Sequence, residues 1–359
     1  MTVSRYRVAL VGCGRIAHVH CGYLRQNPFA DCVGACDLNT EAREAFAARW
    51  QLPTFADPEE LVAATAPDAV HIVTPPATHA PLAIDLLGRG LHVLVEKPMA
   101  LSVAQADTMV AAAERAGKHL TVDHNRWFDP VVQAARSLVD GGELGELVGV
   151  EVFQGAAIGE GEGAGPREGH WSSALPGGAL YDSAPHPVYL LYGFIGAVSD
   201  LKVTAQKGDD GQVRELRAVA LGERALGALT ISLQTRPFTN RIALYGTKMT
   251  AEVNLNNMTL ITRRTRQVPK IVGKVLPNLE EAAQLVRATI TNGLDFVLGR
   301  QRYYPGMGAH FRLLYQQLTR DELPPVSAAD GRAVLALLHD IWDQAGATSV
   351  PKTLRAVGA

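Results

Sequence analysis

Cysteine is scarce in this chain of 359 residues. All four, Cys13, Cys21, Cys32 and Cys36, fall in its first tenth, and none forms a Cys-x-x-Cys pair. That argues against a disulfide framework or a thiolate zinc cage and makes a reducing cytoplasm the expected compartment. No apolar run is long enough to span a bilayer, and the opening MTVSRYRVALVG lacks the apolar segment and small-residue cleavage site of a secretory signal. Neither sign of charge dominates. A formal net charge of -2 supplies no field for nucleic acid or an anionic membrane, so the expected partners are small molecules and other subunits. With 47% hydrophobic and 19% charged residues the chain has a globular balance, and its length accommodates two domains. No internal repeat is visible.

What is present begins with an alternation of strand and helix. The β-type run Arg5 to Val11 feeds Gly12-Cys13-Gly14-Arg15-Ile16-Ala17, after which Ile16, Val19, His20 and Tyr23 start a helical stripe. In Gly-x-Gly-x-x-Ala the first glycine permits the tight turn, the second lets a pyrophosphate approach the backbone, and the small Ala17 allows close packing of helix on strand. Unpaired N–H groups at the helix start then face the phosphates. The next strand, Cys32 to Cys36, ends at Asp37, where a carboxylate can accept hydrogen bonds from both ribose hydroxyls and repel a 2′-phosphate. NAD is therefore the expected cofactor, with Arg43 close enough in sequence to keep NADP as a second candidate. Asp37 also has a structural alternative, as the N-cap of a helix beginning near Thr40.

A strand from Ala69 to Val73 closes in Thr74-Pro75-Pro76-Ala77-Thr78-His79, ahead of a helix over 80–87, which puts Thr74, Pro75 and His79 on the edge that carries the glycine turn. The buried-strand run Leu91 to Val95 stops at Glu96-Lys97-Pro98. A lysine at the carboxyl end of such a strand sits where ligands bind in doubly wound folds. A helix over 101–116 and a strand over 119–122 complete a parallel sheet of five or six strands, and the chain leaves it through His124-Asn125-Arg126-Trp127-Phe128. Residues 1–124 thus read as a dinucleotide-binding Rossmann domain.

Residues 125–340 read as an α+β domain with a large, open, mostly antiparallel sheet, and 341–359 as a tail. Strands are predicted at 147–154, 201–206, 213–221, 226–234, 241–245, 250–255 and 259–262, with helices around 279–298, 309–318 and 329–342. A Gly/Glu-rich segment over 155–178 holds His170 and Trp171. After Gly177-Gly178 come Asp182 and His186, four apart and so on one face if a single helix holds both. The basic stretch Arg263, Arg264, Arg266, Lys270 and Lys274 reads as a solvated connector or, alternatively, as a contact for phosphate or a neighbouring subunit. An open sheet needs its far face covered, and a second subunit would do so.

The glycine turn, Thr74-Pro75, Glu96-Lys97-Pro98, Gly177-Gly178 with Asp182 and His186, and the closing PPVSAADGRAVLALL together resemble the glucose–fructose oxidoreductase, inositol dehydrogenase and MocA family. The resemblance implies catalytic roles for Lys97, Asp182 and His186 and a homodimer or homotetramer formed through the C-terminal sheet. Gly12, Gly14, Arg15, Ile16, Asp37, Thr74, Pro75, His79, Glu96, Lys97 and Asn125 are the residues expected at the cofactor, and Arg126, Trp127 and Trp171, with the catalytic three, those expected at a polyol substrate. Ala179 stands where a third glycine is frequent, and Tyr189 where an acidic residue often follows the histidine.

The expected reaction oxidises a secondary hydroxyl of a sugar, cyclitol or sugar conjugate. Histidine suits the proton step, and Lys97 suits stabilisation of the developing alkoxide. No metal is needed. His18 and His20, two apart on a helix, point away from each other. A glycosidase or lyase that retains its cofactor and a non-catalytic ligand sensor are the two rival readings.

Overall fold

The computed structural model describes residues 5–155, 182–209, 211–299 and 304–346. His170, Trp171, Gly177, Gly178, Ala179 and nearly all of the Gly/Glu-rich segment lie outside them. Two compact units emerge: residues 1–125 with 306–336, and residues 126–305 with 337–359. The return of 306–336 to the first unit has no counterpart in the sequence reading.

In the first unit, strands β1 (Tyr6–Val11), β2 (Ala30–Cys36), β3 (Thr54–Phe55), β4 (Ala69–Ile72), β5 (His92–Val95) and β6 (Leu120–Val122) form an all-parallel sheet in the order β3-β2-β1-β4-β5-β6. Every residue of β4 is buried, as expected of parallel strands covered on both faces. Helices α1 (Arg15–Leu24), α2 (Thr40–Trp50), α3 (Pro58–Thr65), α4 (His79–Gly88) and α5 (Val103–Ala116) supply the crossovers. Asp57 caps α3 by accepting from the Glu60 N–H, and Ser102 caps α5 by accepting from that of Gln105. The strand order reverses between β1 and β4. Ligands bind at such a switch point, beyond the strands' carboxyl ends.

Helix α9 (Pro305–Leu318) and the first half of α10 (Ala328–Gln344) complete this unit. The Tyr315 hydroxyl lies 2.6 Å from His71 on β4, and the Thr121 hydroxyl of β6 donates to the Val326 carbonyl at 2.7 Å. Gly331 lets α10 approach β6, since a side chain there would meet Val122 at 2.4 Å. Ser327 and Asp330 exchange hydrogen bonds as a capping pair at the start of α10.

The second unit holds a seven-stranded mixed, mostly antiparallel sheet. Its strands are β7 (Leu147–Gly155), β8 (Val198–Lys207), β9 (Val213–Gly222), β10 (Leu226–Ser232), β11 (Thr239–Gly246), β12 (Met249–Asn254) and β13 (Thr259–Arg264), ordered β13-β12-β11-β7-β10-β9-β8 with only β7 and β10 parallel. All seven match predicted runs. Helix α6 (Pro130–Asp140) opens the unit, and α7 (Pro185–Ile195) packs on the sheet through Leu191 and Ile195, whose side chains fill the space left by Gly222 and Gly227. Burial of residues such as Leu191, Phe194 and Ile195 contributes roughly 1.5–3 kcal/mol each. The last long helix of this unit, α8 (Val272–Val297), starts well before the predicted 279 and contains Pro277 in its second turn.

No described helix is long and apolar enough to cross a membrane. All four cysteines are buried and free, and burial pushes the Cys13 and Cys36 thiols up to about 12.

Candidate functional site

Gly12 follows β1 with φ at 109°, a conformation side chains rarely adopt. A Cβ there would also stand 2.9 Å from the Val73 carbonyl oxygen and 3.2 Å from Thr74, so only glycine allows the turn to lie against the end of β4. Gly14 and Arg15 are exposed, and a Cβ on Gly14 would meet nothing within 4 Å. The turn and the amino end of α1 therefore present open backbone at the switch point, as a pyrophosphate requires.

Asp37 is not the cap of α2. That place belongs to Asn39, whose side chain accepts from the Ala42 N–H. Instead, Asp37 accepts the backbone N–H of Cys13 and of Asn39, each at 2.8 Å, tying the end of β2 to the glycine turn. Each carboxylate oxygen keeps a lone pair for ribose hydroxyls. The Arg43 guanidinium donates to the Asp37 and Leu38 carbonyls and to the Thr40 hydroxyl, which fixes a cation beside the same loop.

At the ends of β4 and β5 two loops are laced together. Thr74 and Thr78 share a hydroxyl contact of 2.7 Å, and Thr78 also donates to the Pro75 carbonyl. His79 is fully buried, with Nε2 2.9 Å from the Thr74 carbonyl and Nδ1 3.0 Å from that of Pro98. It braces the loops from within rather than facing a ligand. Burial depresses its proton affinity, so the ring is neutral and its single N–H serves one carbonyl at a time.

Lys97 is half-exposed beyond β5, and its backbone N–H donates to Glu96 Oε2 at 3.1 Å. Glu96 itself points inward. Its Oε1 lies 3.1 Å from His20 Nε2, while His20 Nδ1 lies 3.0 Å from His71 Nδ1. Asp123 pairs with His310 at 2.9 Å and stands 3.8 Å from His20. His20, Glu96 and Asp123 thus bring a nitrogen and carboxylate oxygens within 4.8 Å of one another. Sequence reasoning considered His20 only against His18 and missed this buried chain. Burial, and then the neighbouring Glu96 charge, raise the Asp123 carboxyl well above its ordinary range. Burial opposes the Glu96 carboxylate as well, but its hydrogen bond and charge contact with His20, helped by Lys97, outweigh that and hold it below. Asp123 is thus biased toward its protonated form and Glu96 toward its carboxylate. With Glu96 on one side and the His79-braced Pro98 on the other, the lysine backbone is pinned.

His124 and His310 are each depressed to about 3, chiefly by burial, and burial also lowers His71. An unfolded histidine titrates near 6.5. Below that value the unfolded chain binds protons that the folded one refuses, so stability present above pH 6.5 is lost as pH falls toward 3. The raised Asp123 works in the opposite direction and offsets part of the loss. The expected cost between pH 6.5 and 5 is about 2 kcal/mol for each of His124 and His310. Thermal unfolding at constant ionic strength checks this. A midpoint unchanged over that range would contradict neutral burial.

In the second unit, α7 carries His186 in its first turn, half-buried. Asp182 falls before α7, so helical spacing does not set its relation to His186. Tyr189, one turn further, is 3% exposed, and its hydroxyl lies 2.8 Å from His186 Nδ1 and accepts the Arg126 backbone N–H at 3.0 Å. The residue noted as a departure thus orients the imidazole. A narrow cleft beside His186 is lined by Arg126, Gln154, Asn240 and Arg241. Gln154 and Asn240 come from β7 and β11, where inward polar residues interrupt the apolar alternation. Trp127 does not line this cleft. Its ring packs edge-on against Phe194, 5.1 Å between centroids, beneath the Arg136 guanidinium.

Residues 6–124 match the family described as "Oxidoreductase family, NAD-binding Rossmann fold", and residues 132–252 match "GFO/IDH/MocA C-terminal domain". The chain is 33% identical over 149 residues to D-glucoside 3-dehydrogenase of Escherichia coli, covering 41% of this chain and 42% of that protein. It is 33% identical over 143 residues to inositol 2-dehydrogenase of Rhizobium meliloti, covering 39% and 42%. The matched stretch therefore spans less than half the length of these relatives. Among solved structures, the WlbA dehydrogenase of Bordetella pertussis, in complex with NADH and UDP-GlcNAcA, superposes with a TM-score of 0.76 at 23% identity, over 96% of this chain and 97% of that one.

Proposed function

Because the chain belongs to the Gfo/Idh/MocA family of oxidoreductases, we propose that it is an NAD-linked dehydrogenase acting on a secondary hydroxyl of a sugar, cyclitol or sugar conjugate. The observation that carries this reading is Lys97, half-exposed at a strand end on a backbone pinned from both sides, on the same carboxyl edge of the sheet as an open glycine turn. Relatives that oxidise a glucoside and an inositol support the substrate class. Bound NAD would supply the acceptor for the hydride that leaves the carbinol carbon. Lys97 donates a hydrogen bond to the oxygen as it gains negative charge. His186 takes the hydroxyl proton at Nε2. The Tyr189 oxygen has two lone pairs and can accept from both the Arg126 N–H and His186 Nδ1–H, which leaves the Nε2 lone pair as the base. Asp182 and Arg126 hold further hydroxyls. The open sheet face, where Val219, Leu221 and Leu226 are exposed, supports homo-oligomerisation through this sheet.

A screen of sugars, inositols and nucleotide sugars, followed by reduced-nicotinamide absorbance, tests the reaction. Net reduction with an intact carbon skeleton is expected. Bond cleavage without net reduction would instead establish the cofactor-retaining lyase, and undiminished function of a Lys97→Ala protein would revive the ligand sensor. Asp37→Ala is expected to weaken NAD about 10- to 100-fold, through lost ribose contacts and a loosened Cys13 turn, and NADP far less. Unchanged affinity for both in a fluorescence titration would misplace the ribose.

A further inference from the structure

Helix α8 is turned inside out for a monomer. Its polar side faces its own chain. Gln284 exchanges three hydrogen bonds with Thr262, the Asn292 amide donates to the Asn257 and Met258 carbonyls, Arg263 pairs with Glu281, and Arg266 pairs with Glu280. These contacts cover the edge strand β13, which would otherwise invite further strand pairing. No residue of α8 is buried, however, and eleven large apolar side chains between Ile271 and Leu298 are 45% to 81% exposed. On the helix side opposite Gln284 and Asn292, Val275, Leu279, Val286, Ile290, Leu294 and Val297 form one stripe at steps of three or four residues, with Ala282 and Ala283 filling the one step of seven. It runs about 33 Å at 1.5 Å per residue. The six side chains of the stripe present on the order of 600 Å², at the upper end of what monomers leave in one patch.

We propose that this stripe is a homotypic interface, the α8 helices of two copies packing antiparallel about a two-fold axis between Gln284 and Leu285. In that register Val275 meets Leu294 of the second copy, Leu279 meets Ile290, and Ala283 meets Val286. The stripe is therefore self-complementary, as a two-fold contact demands. Midway, a shallow groove lined by Ala282, Ala283, Val286 and Ile290 gives the small residues room to receive the opposing valine. Among the described residues, Arg287 is the only charged side chain bordering that groove. Burying both stripes removes on the order of 1,200 Å², at the lower end of the range of stable interfaces.

A membrane surface fits less well. The three arginines ahead of the helix are paired with carboxylates, Arg263 and Arg266 as above and Arg264 with Glu143 at 2.8 Å. Residues 347–359 offer only Val350, Leu354 and Val357 as large apolar side chains, too few to cover the stripe.

Light scattering on the full chain, with and without Val286→Glu plus Ile290→Glu, tests the interface, and tryptophan fluorescence with NAD confirms that the variant remains folded. Halved mass in the variant is the expected result. A second arm oxidises the double variant Ala283→Cys, Val286→Cys, the native thiols being buried. A covalent dimer is expected there and none from Lys274→Cys. A monomeric wild-type chain, equal masses for wild type and variant, or co-sedimentation with anionic vesicles at unchanged mass would each overturn the proposal, as would monomers gaining mass only when 347–359 are removed.

Discussion

Replacing Lys97 with methionine is expected to lower turnover by about 10²- to 10³-fold, the usual loss of one preorganised donor to a developing oxyanion. Affinity for NAD should change little. Methionine keeps much of the side chain's length and volume, and the backbone of residue 97 remains held by Glu96 and, through Pro98, by His79. The expected signature is therefore a fall in kcat and in kcat/KM together, since the lost hydrogen bond strengthens only as charge develops. Steady-state kinetics on the best polyol, with parallel NAD titration, makes the comparison. A variant with near-normal turnover would show that Lys97 does not reach the reacting oxygen.

His186→Ala should cost about 10²- to 10⁴-fold in turnover, the range for a positioned general base. Cofactor affinity should survive, because the glycine turn and Asp37 belong to the other unit. Tyr189→Phe gives the finer test. It removes the hydroxyl that touches His186 Nδ1 and accepts the Arg126 N–H, but keeps the buried ring. An intermediate loss with an altered pH profile is expected, since the imidazole loses the group that fixes its tautomer. Loss of folding alone in both proteins would make His186 a structural residue, and an unaltered pH profile in Tyr189→Phe would remove Tyr189 from the proton step.

The elements of both sheets, the two-residue β3 excepted, were legible because the other strands announce themselves locally. Apolar runs ended by Gly12, Asp37, Thr74 and Lys97 mark parallel strands, and period-two patterns mark the meander. What escaped the sequence depends on separation. Tyr315 meets His71 across 244 positions and His310 meets Asp123 across 187, so neither the return of α9 to the first unit nor the acid–histidine chain beneath Lys97 has a local signature. Pro277 hid the true start of α8, because proline usually ends a helical pattern. Asp182 and His186 were joined by a spacing that means something only within one helix, and α7 begins between them. Tyr189 was visible only as a mismatch. Its partner is the backbone of Arg126, which no spacing could reveal.

The claim on which all of this rests is that one ammonium and one imidazole serve a single hydroxyl. A crystal structure of the protein with NADH and the best polyol from the screen tests it most directly. Lys97 Nζ and His186 Nε2 should both lie about 3 Å from the same substrate oxygen. A substrate oxygen held by one of them while the other lies beyond hydrogen-bonding reach would contradict the mechanism.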